Sequence, residues 1–116
     1  MRRFSQLTAP QSRMSEAALL ACSLRSTCEA NTERFDYADL AALLVPLSHQ
    51  LDELEVLCAG CELDAVAEQS NRYISALQKL LWGCQGYTEP CVLAELISPV
   101  ADALDAAELT YRRADA

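Results

Sequence analysis

Apolar residues recur at helical spacing along most of the chain. In the first such stretch, from about Gln11 to Asn31, they follow one another at steps of three and four: Met14, Ala17, Ala21, Leu24 and Cys28. Positions with that spacing share one face of an α-helix. The pattern therefore predicts a first helix over residues 11–31, preceded by a flexible N-terminal arm over residues 1–10.

The second apolar stripe is the most regular one in the chain, and we call it the seam. Its members are spaced four and three residues apart in strict alternation: Leu40, Leu44, Leu47, Leu51, Leu54 and Cys58. Asp36 stands where its carboxylate can accept hydrogen bonds from the first free amides of a helix. Gly60 stands where a left-handed residue can end one. We predict a second helix between these two residues.

Two more helices are predicted after the second. The third runs from Leu63 to about Trp82, and its apolar stripe consists of Val66, Tyr73, Leu77, Leu80 and Cys84, with Ile74 and Leu81 beside it. A loop bracketed by two glycines follows. Thr88, shortly before Pro90, is a typical helix start, and the fourth helix is predicted to run to about Arg112.

The sequence contains an internal repeat. Residues 39–55 and 92–108 align without a gap at an offset of 53 residues and are identical at seven positions. The same offset carries the apolar face of the first helix onto a face of the third, at Ser70, Ile74, Leu77 and Leu81. Two similar αα-hairpins, over about residues 11–59 and 63–112, would account for the repeat.

Each repeat has a proline at the matching position, Pro46 and Pro99. A proline inside a helix removes an amide donor and clashes with the carbonyl four residues earlier. We expect a kink in each helix, or a short break followed by a restart at Ser98-Pro99. Such a bend either shapes a groove or wraps the helix around its core.

Together these elements predict an all-α fold. Four helices of similar length with short connections form an antiparallel bundle, so residues 11–116 are expected to be a single helical domain. A bundle whose hairpins pair with those of a second chain fits the pattern equally well. Many positions on the apolar faces of the helices are alanine or cysteine, which leaves less apolar area to bury per residue, and we expect a homodimer.

Composition and charge narrow the range of partners. Hydrophobic residues make up 52% of the chain, and nine basic residues stand against seventeen acidic ones, for a net charge of −8. Nucleic-acid binding needs clustered Lys and Arg, so direct binding of DNA or RNA is not expected. The first residues lack the apolar run of a signal peptide, and no stretch is apolar enough to span a bilayer. We therefore expect a cytoplasmic protein.

The six cysteines raise the question of a metal site. Zinc takes four ligands at one tetrahedral site. Cys58 and Cys61 precede the third helix, whereas Cys84 and Cys91 follow it, so roughly 30 Å of helix separates the two pairs. His49 lies outside both groups. We predict no metal and no cofactor, and a packing role for Cys58.

Cys84 and Cys91 are the candidates for reactive thiols. Cys91 lies about three residues into the fourth helix, where exposed amides and the helix dipole favour a thiolate. Glu89 opposes that effect. The two cysteines are close in sequence across a loop, so a disulfide between them is feasible, and Cys28 is expected near the same end.

Protein binding is the function that the sequence favours. The chain has one histidine, and it shows no phosphate-binding loop, no Glu-x-x-His di-iron signature and no nucleophile with a nearby base, so we do not expect an enzyme. Tryptophan and tyrosine are favoured at interfaces. The candidate contacts are therefore the large side chains near two loops at one end of the bundle: Leu81, Trp82, Tyr87, Phe35 and Tyr37. The alternative is that these side chains plug the bundle end.

In size, acidity and helical character the chain resembles small bacterial anti-activators of quorum sensing. The resemblance is to the profile of the whole chain, and no specific motif carries it. It implies a dimeric protein that blocks the dimerisation of a LuxR-type transcription factor. Two other classes stay open: a ligand-binding or thiol-redox-sensing helical bundle, and a secretion chaperone or toxin-neutralising partner.

Overall fold

The computed structural model describes residues 9–115, with side chains described for residues 10–110. In chain order the elements are α1 Ala9–Ala30, β1 Phe35–Asp36, α2 Tyr37–Leu43, α3 Val45–Cys58, α4 Asp64–Gly83, β2 Tyr87–Thr88 and α5 Pro90–Asp115. The all-α prediction is confirmed, and α2 with α3 takes the place of the predicted second helix. The expected arm over residues 1–10 lies outside the described residues, except for its last two, which already belong to α1.

The helices pack into an elongated bundle of 50 × 26 × 18 Å. The helix α1 packs against α3 and α5, and α4 packs against α2, α3 and α5. Side-chain contacts show the relative direction of α1 and α5. The Ser15 hydroxyl donates to Glu108 Oε2 at 2.6 Å, and further along α1 the guanidinium of Arg25 donates to Asp102 Oδ1 at 2.8 Å. Because the partners run backward along α5, the two helices are antiparallel.

Two short strands join the connections at one end of the bundle. In the antiparallel pair, Phe35 lies opposite Thr88 and Asp36 lies opposite Tyr87. The N–H of Tyr37 donates to the carbonyl of Gly86 at 3.3 Å and continues the contact. We call this end, residues 31–39 and 82–91, the strand end; the opposite end, residues 59–63, is the turn end. Residues with a period-2 pattern are too few here to signal strands in the sequence.

The seam forms the centre of the core, as predicted. Each of its six members is fully buried: Leu40, Leu44, Leu47, Leu51, Leu54 and Cys58. The residues 53 positions later on α5 are also buried or partly buried, and they are Leu93, Ile97, Val100, Leu104 and Ala107. Their last expected member, Tyr111, lies outside the described side chains.

The predicted apolar stripe of the third helix is partly wrong. Tyr73 and Leu80 are 38% and 69% exposed, and Cys84 is exposed as well. The buried face of α4 consists of Ala67, Ser70, Ile74, Leu77 and Leu81. Large residues lie on both faces, so size alone does not show which one faces the core. Shifting the apolar face of α1 by 53 residues gives Ser70, Ile74, Leu77 and Leu81, and all four are buried, so the repeat identifies the correct face.

The two prolines have different effects. Before Pro46, where a kink was expected, the chain breaks: α2 ends at Leu43, and the N–H of Leu44 donates to the carbonyl of Ala41 at 3.1 Å in a tighter turn. The expected break at Ser98-Pro99 is absent, since α5 runs through that point. The residue before Pro46 is a β-branched valine, which is more restricted there than serine. The Ser98 hydroxyl instead donates to the carbonyl of Ala94 at 2.9 Å within the helix.

Candidate functional site

The large side chains predicted to bind a partner divide into buried and exposed ones. Trp82 is 54% exposed and Tyr87 is 63% exposed. Leu81, the residue immediately before Trp82, is only 4% exposed and belongs to the core. Its prediction as a surface contact is therefore corrected: the helical turn that directs Trp82 outward directs Leu81 inward.

Phe35 and Tyr37 have an intermediate position. Both are partly buried and pack against the hydrophobic core at the strand end. The alternative interpretation of the aromatic residues, that they close the end of the bundle, therefore fits Phe35 and Tyr37. The exposed part of the candidate surface consists of Trp82 and Tyr87.

Backbone contacts hold Tyr87 in place. It lies in β2 opposite Asp36, and its carbonyl accepts a hydrogen bond from the guanidinium of Arg34 at 3.3 Å. The preceding Gly86 has a φ of +107°, a conformation that side-chain-bearing residues rarely adopt. Because the backbone of Tyr87 is held on both sides, its ring is attached to a rigid segment of the chain.

Trp82 lies in the last turn of α4. The helix ends at Gly83, and the N–H of Cys84 donates to the carbonyl of Leu81 at 3.2 Å to close that turn. Buried Leu81 holds the same turn against the core. An exposed indole on such a support loses little conformational freedom when a partner covers it.

The strand end is acidic. Residues 31–39 and 82–91 contain one basic residue, Arg34, and four acidic ones: Glu33, Asp36, Asp39 and Glu89. One of the carboxylates has a structural role, since Asp36 Oδ1 accepts a hydrogen bond from the N–H of Asp39 at 2.7 Å and caps α2. The others add negative charge at the same end of the bundle as the exposed aromatic residues.

The predicted reactive thiols are both exposed at the strand end. Cys84 follows α4, and Cys91 lies in the first turn of α5. Desolvation raises the pKa of Cys91, and so does its hydrogen bond to Glu89 Oε1, where the sulfur–oxygen distance is 3.6 Å. Desolvation and Glu89 together therefore outweigh the helix start, and the pKa of the Cys91 thiol lies above its ordinary value.

The other cysteines lie deeper in the protein. Cys28 and Cys58 are buried, whereas Cys22 and Cys61 are partly buried. Burial raises the pKa of the Cys28 thiol. Among the side chains of residues 10–110, no three His, Cys, Asp or Glu are grouped as a metal ion would need.

A second exposed apolar surface lies close to the turn end, and the sequence did not single it out. Val56 is 77% exposed and Leu57 is 38% exposed. They line a shallow cleft of about 450 Å³ together with Arg13, Asp52 and Glu53. The signal available in the sequence was that both residues are apolar but lie off the seam.

The chain matches no known family model, no curated protein and no solved structure. Along residues 9–115, no helix combines the length and apolar character that a membrane crossing requires. The functional argument therefore rests on the geometry of the chain itself.

Proposed function

We propose that this protein is a regulatory protein-binding module that uses the strand end as its interface. The observation that carries the proposal is the exposure of Trp82 and Tyr87 at one end of the bundle, the first on the last turn of α4 and the second on a paired strand. Aromatic side chains on a fixed backbone supply a large contact area with few rotatable bonds to order. If Trp82 bound no partner, its apolar surface would remain in contact with water.

The charges around this surface indicate the chemistry of the partner. The acidic border of Glu33, Asp39 and Glu89 favours a partner surface that is apolar at its centre and carries Lys or Arg around it. Complementary charge of this kind speeds association and suppresses wrong partners more than it adds affinity. Binding should then weaken moderately as salt increases.

The proposed mode of action is competition for a self-association surface. The partner is a transcription factor of the LuxR type, as the resemblance to anti-activators of quorum sensing implies, and covering its dimer surface would keep it inactive. Such competition needs only complementary apolar area and a few deep contacts. The net charge of −8 fits this indirect action, because an acidic chain is poorly suited to bind DNA itself.

We also infer that the two αα-hairpins are copies of one unit. Phe35 pairs with Thr88, the residue 53 positions later, as expected for an antiparallel pair on an approximate two-fold axis. Nine further pairs at this offset are buried in both copies: Met14/Ala67, Ala17/Ser70, Ala21/Ile74, Cys28/Leu81, Leu40/Leu93, Ala41/Ala94, Leu44/Ile97, Leu47/Val100 and Leu51/Leu104.

A homodimer is the proposed assembly, with the exposed apolar side chains of α4 at its interface. Tyr73 and Leu80 are seven residues apart and therefore lie on one side of the helix, and Leu80 is 69% exposed. The measurement is light scattering at micromolar concentration. We expect a dimer mass for the wild type and a monomer mass for Leu80→Lys; a wild-type monomer would reject the assembly.

The experiment that tests the function begins with capture of the partner from the native organism. The purified partner is then titrated with the wild type, Trp82→Ala, Tyr87→Ala and the control Leu19→Ala, whose leucine is 69% exposed on α1. We expect each aromatic variant to lose at least about tenfold in affinity, as for interface hot spots, and the control to bind normally. Light scattering of the partner should also show loss of its self-association.

A further inference from the structure

The Cys-x-x-Cys segment at the turn end folds into a defined β-turn. Ala59 has φ −54° and ψ 123°, and Gly60 follows with φ +83°. The N–H of Cys61 donates to the carbonyl of Cys58 at 2.9 Å. These angles are those of a type II turn, which requires a residue such as glycine at its third position and holds its first and fourth Cα atoms within about 7 Å. A disulfide spans a Cα separation of about 4.4–6.8 Å.

Two further hydrogen bonds hold this turn. The N–H of Leu63 donates to Cys61 Sγ at 3.4 Å, and the N–H of Gly60 donates to Asp64 Oδ2 at 3.2 Å. The first of these also fixes the position of the Cys61 sulfur. The turn is therefore already formed in the reduced protein, and bond formation needs little reordering of the chain.

The two thiols differ in their access to solvent. Cys58 is fully buried at the end of α3, whereas Cys61 is partly exposed. Burial raises the pKa of the Cys58 thiol to about 12, and the neighbouring Cys61 thiol and Asp64 carboxylate add to the effect. An external reagent therefore meets Cys61 first, and Cys58 stays protonated behind it.

We propose that Cys58 and Cys61 form a thiol–disulfide site, at which a low-molecular-weight disulfide of the glutathione type oxidises them to an intrachain disulfide. This site is separate from the strand end and does not depend on the proposed partner. It also differs from the pair that the sequence favoured, Cys84 and Cys91, because no turn holds those two together.

The reaction proceeds by two exchanges. Cys61 loses its proton to solvent, and its sulfur attacks one sulfur of the small disulfide, whose S–S bond breaks and releases one thiolate. Cys58 then attacks the Cys61 sulfur of this mixed disulfide. The protein S–S bond forms, the mixed S–S bond breaks, and the second small thiol leaves with the proton of Cys58. The cysteines lose two electrons, and the small disulfide is reduced to two thiols.

Trypsin separates the two cysteine pairs, which makes a direct test possible. Cleavage after Arg and Lys gives a peptide of residues 35–72 with Cys58 and Cys61 only, and a peptide of residues 80–112 with Cys84 and Cys91 only. The folded full chain is equilibrated with mixtures of reduced and oxidised glutathione and quenched in acid. It is then alkylated with iodoacetamide in denaturant, digested and weighed by mass spectrometry.

We expect peptide 35–72 to become lighter by two hydrogen atoms and to take up no label. Because the turn raises the effective concentration of one thiol at the other, this should occur at a glutathione disulfide fraction at least about tenfold lower than for peptide 80–112. Double labelling of peptide 35–72 in all mixtures, or earlier oxidation of peptide 80–112, would overturn the proposal. This readout uses the wild type, so it holds whatever a core variant does to folding.

Two variants test the order of attack, with circular dichroism as the folding control. In Cys58→Ala, Cys61 should retain one glutathione as a mixed disulfide, because the second exchange is lost. In Cys61→Ala, buried Cys58 should retain none. The reverse pattern in folded protein would contradict the assignment of Cys61 as the attacking thiol.

Discussion

The two halves of the chain, residues 9–58 and 64–115, share nine buried positions at the offset of 53 residues and differ on their surface. Leu51 and Leu104, 53 residues apart, are both fully buried. At the same offset, Trp82 has Glu29 as its counterpart and Tyr87 has Arg34, and all four of these residues are exposed. Most of the positions that build the fold are therefore the same in both halves. The aromatic side chains proposed to bind a partner occur in the second half alone.

This difference separates two roles that a large apolar residue can have. Leu81 and Trp82 are neighbours in α4, yet one is 4% exposed and the other 54% exposed. Only the first has a buried counterpart in the other half, Cys28. A large residue whose counterpart 53 positions away is also buried serves the core. An exposed residue whose counterpart is not buried is free to serve recognition.

The largest expected effect concerns the core positions that both halves share. Leu51→Ala and Leu104→Ala should each lower the free energy of unfolding by about 2–5 kcal/mol, because a buried Leu leaves a cavity when truncated. Denaturant melts followed by circular dichroism measure this. If one half tolerated the change with a loss below about 1 kcal/mol, the halves would not share one core.

The prolines give the next largest effect, with opposite signs in the two halves. Pro99→Ala should stabilise the protein by about 1–3 kcal/mol, since it restores an amide donor inside the continuous helix α5. Pro46 stands in the first turn of α3, where proline is well tolerated. Pro46→Ala should therefore change stability by less than about 1 kcal/mol, and a loss is the expected direction. Equal gains from both changes in denaturant melts would contradict the structural difference.

The sequence predicted the core better than the details of the connections. The seam could be read because its strict alternation of steps admits one helical face. The exposure of Tyr73 and Leu80 could not be predicted, because α4 carries large residues on two faces and tertiary packing selects which face is buried. The two-residue strands have no periodic signal at all. Their pairing depends on connections that lie 53 residues apart in sequence and meet only in the folded bundle.

The candidate site was predicted in outline and not residue by residue. Proximity to the loops correctly placed Trp82 and Tyr87 at one end, but it grouped them with Leu81, since loop proximity does not distinguish the inner from the outer side of a helix. The matched burial of Cys28 and Leu81 supplies that distinction. For the turn Cys58–Cys61, the spacing was visible, but the type II geometry depends on backbone angles that spacing does not give.

Replacing Trp82 should have the smallest effect on stability. The same replacement gives the most direct test of the proposed interface. Trp82→Glu installs the residue that the other half has at the same offset, and Leu81→Ala and Glu29→Ala are the controls. The measurement is the dissociation constant for the captured partner beside the free energy of unfolding of each variant. Trp82→Glu should weaken binding at least about tenfold and change stability by less than about 1 kcal/mol, whereas Leu81→Ala should lower stability by about 2–5 kcal/mol. Normal binding by Trp82→Glu, with a stability loss of several kcal/mol, would show that Trp82 belongs to the core and would contradict the proposed interface.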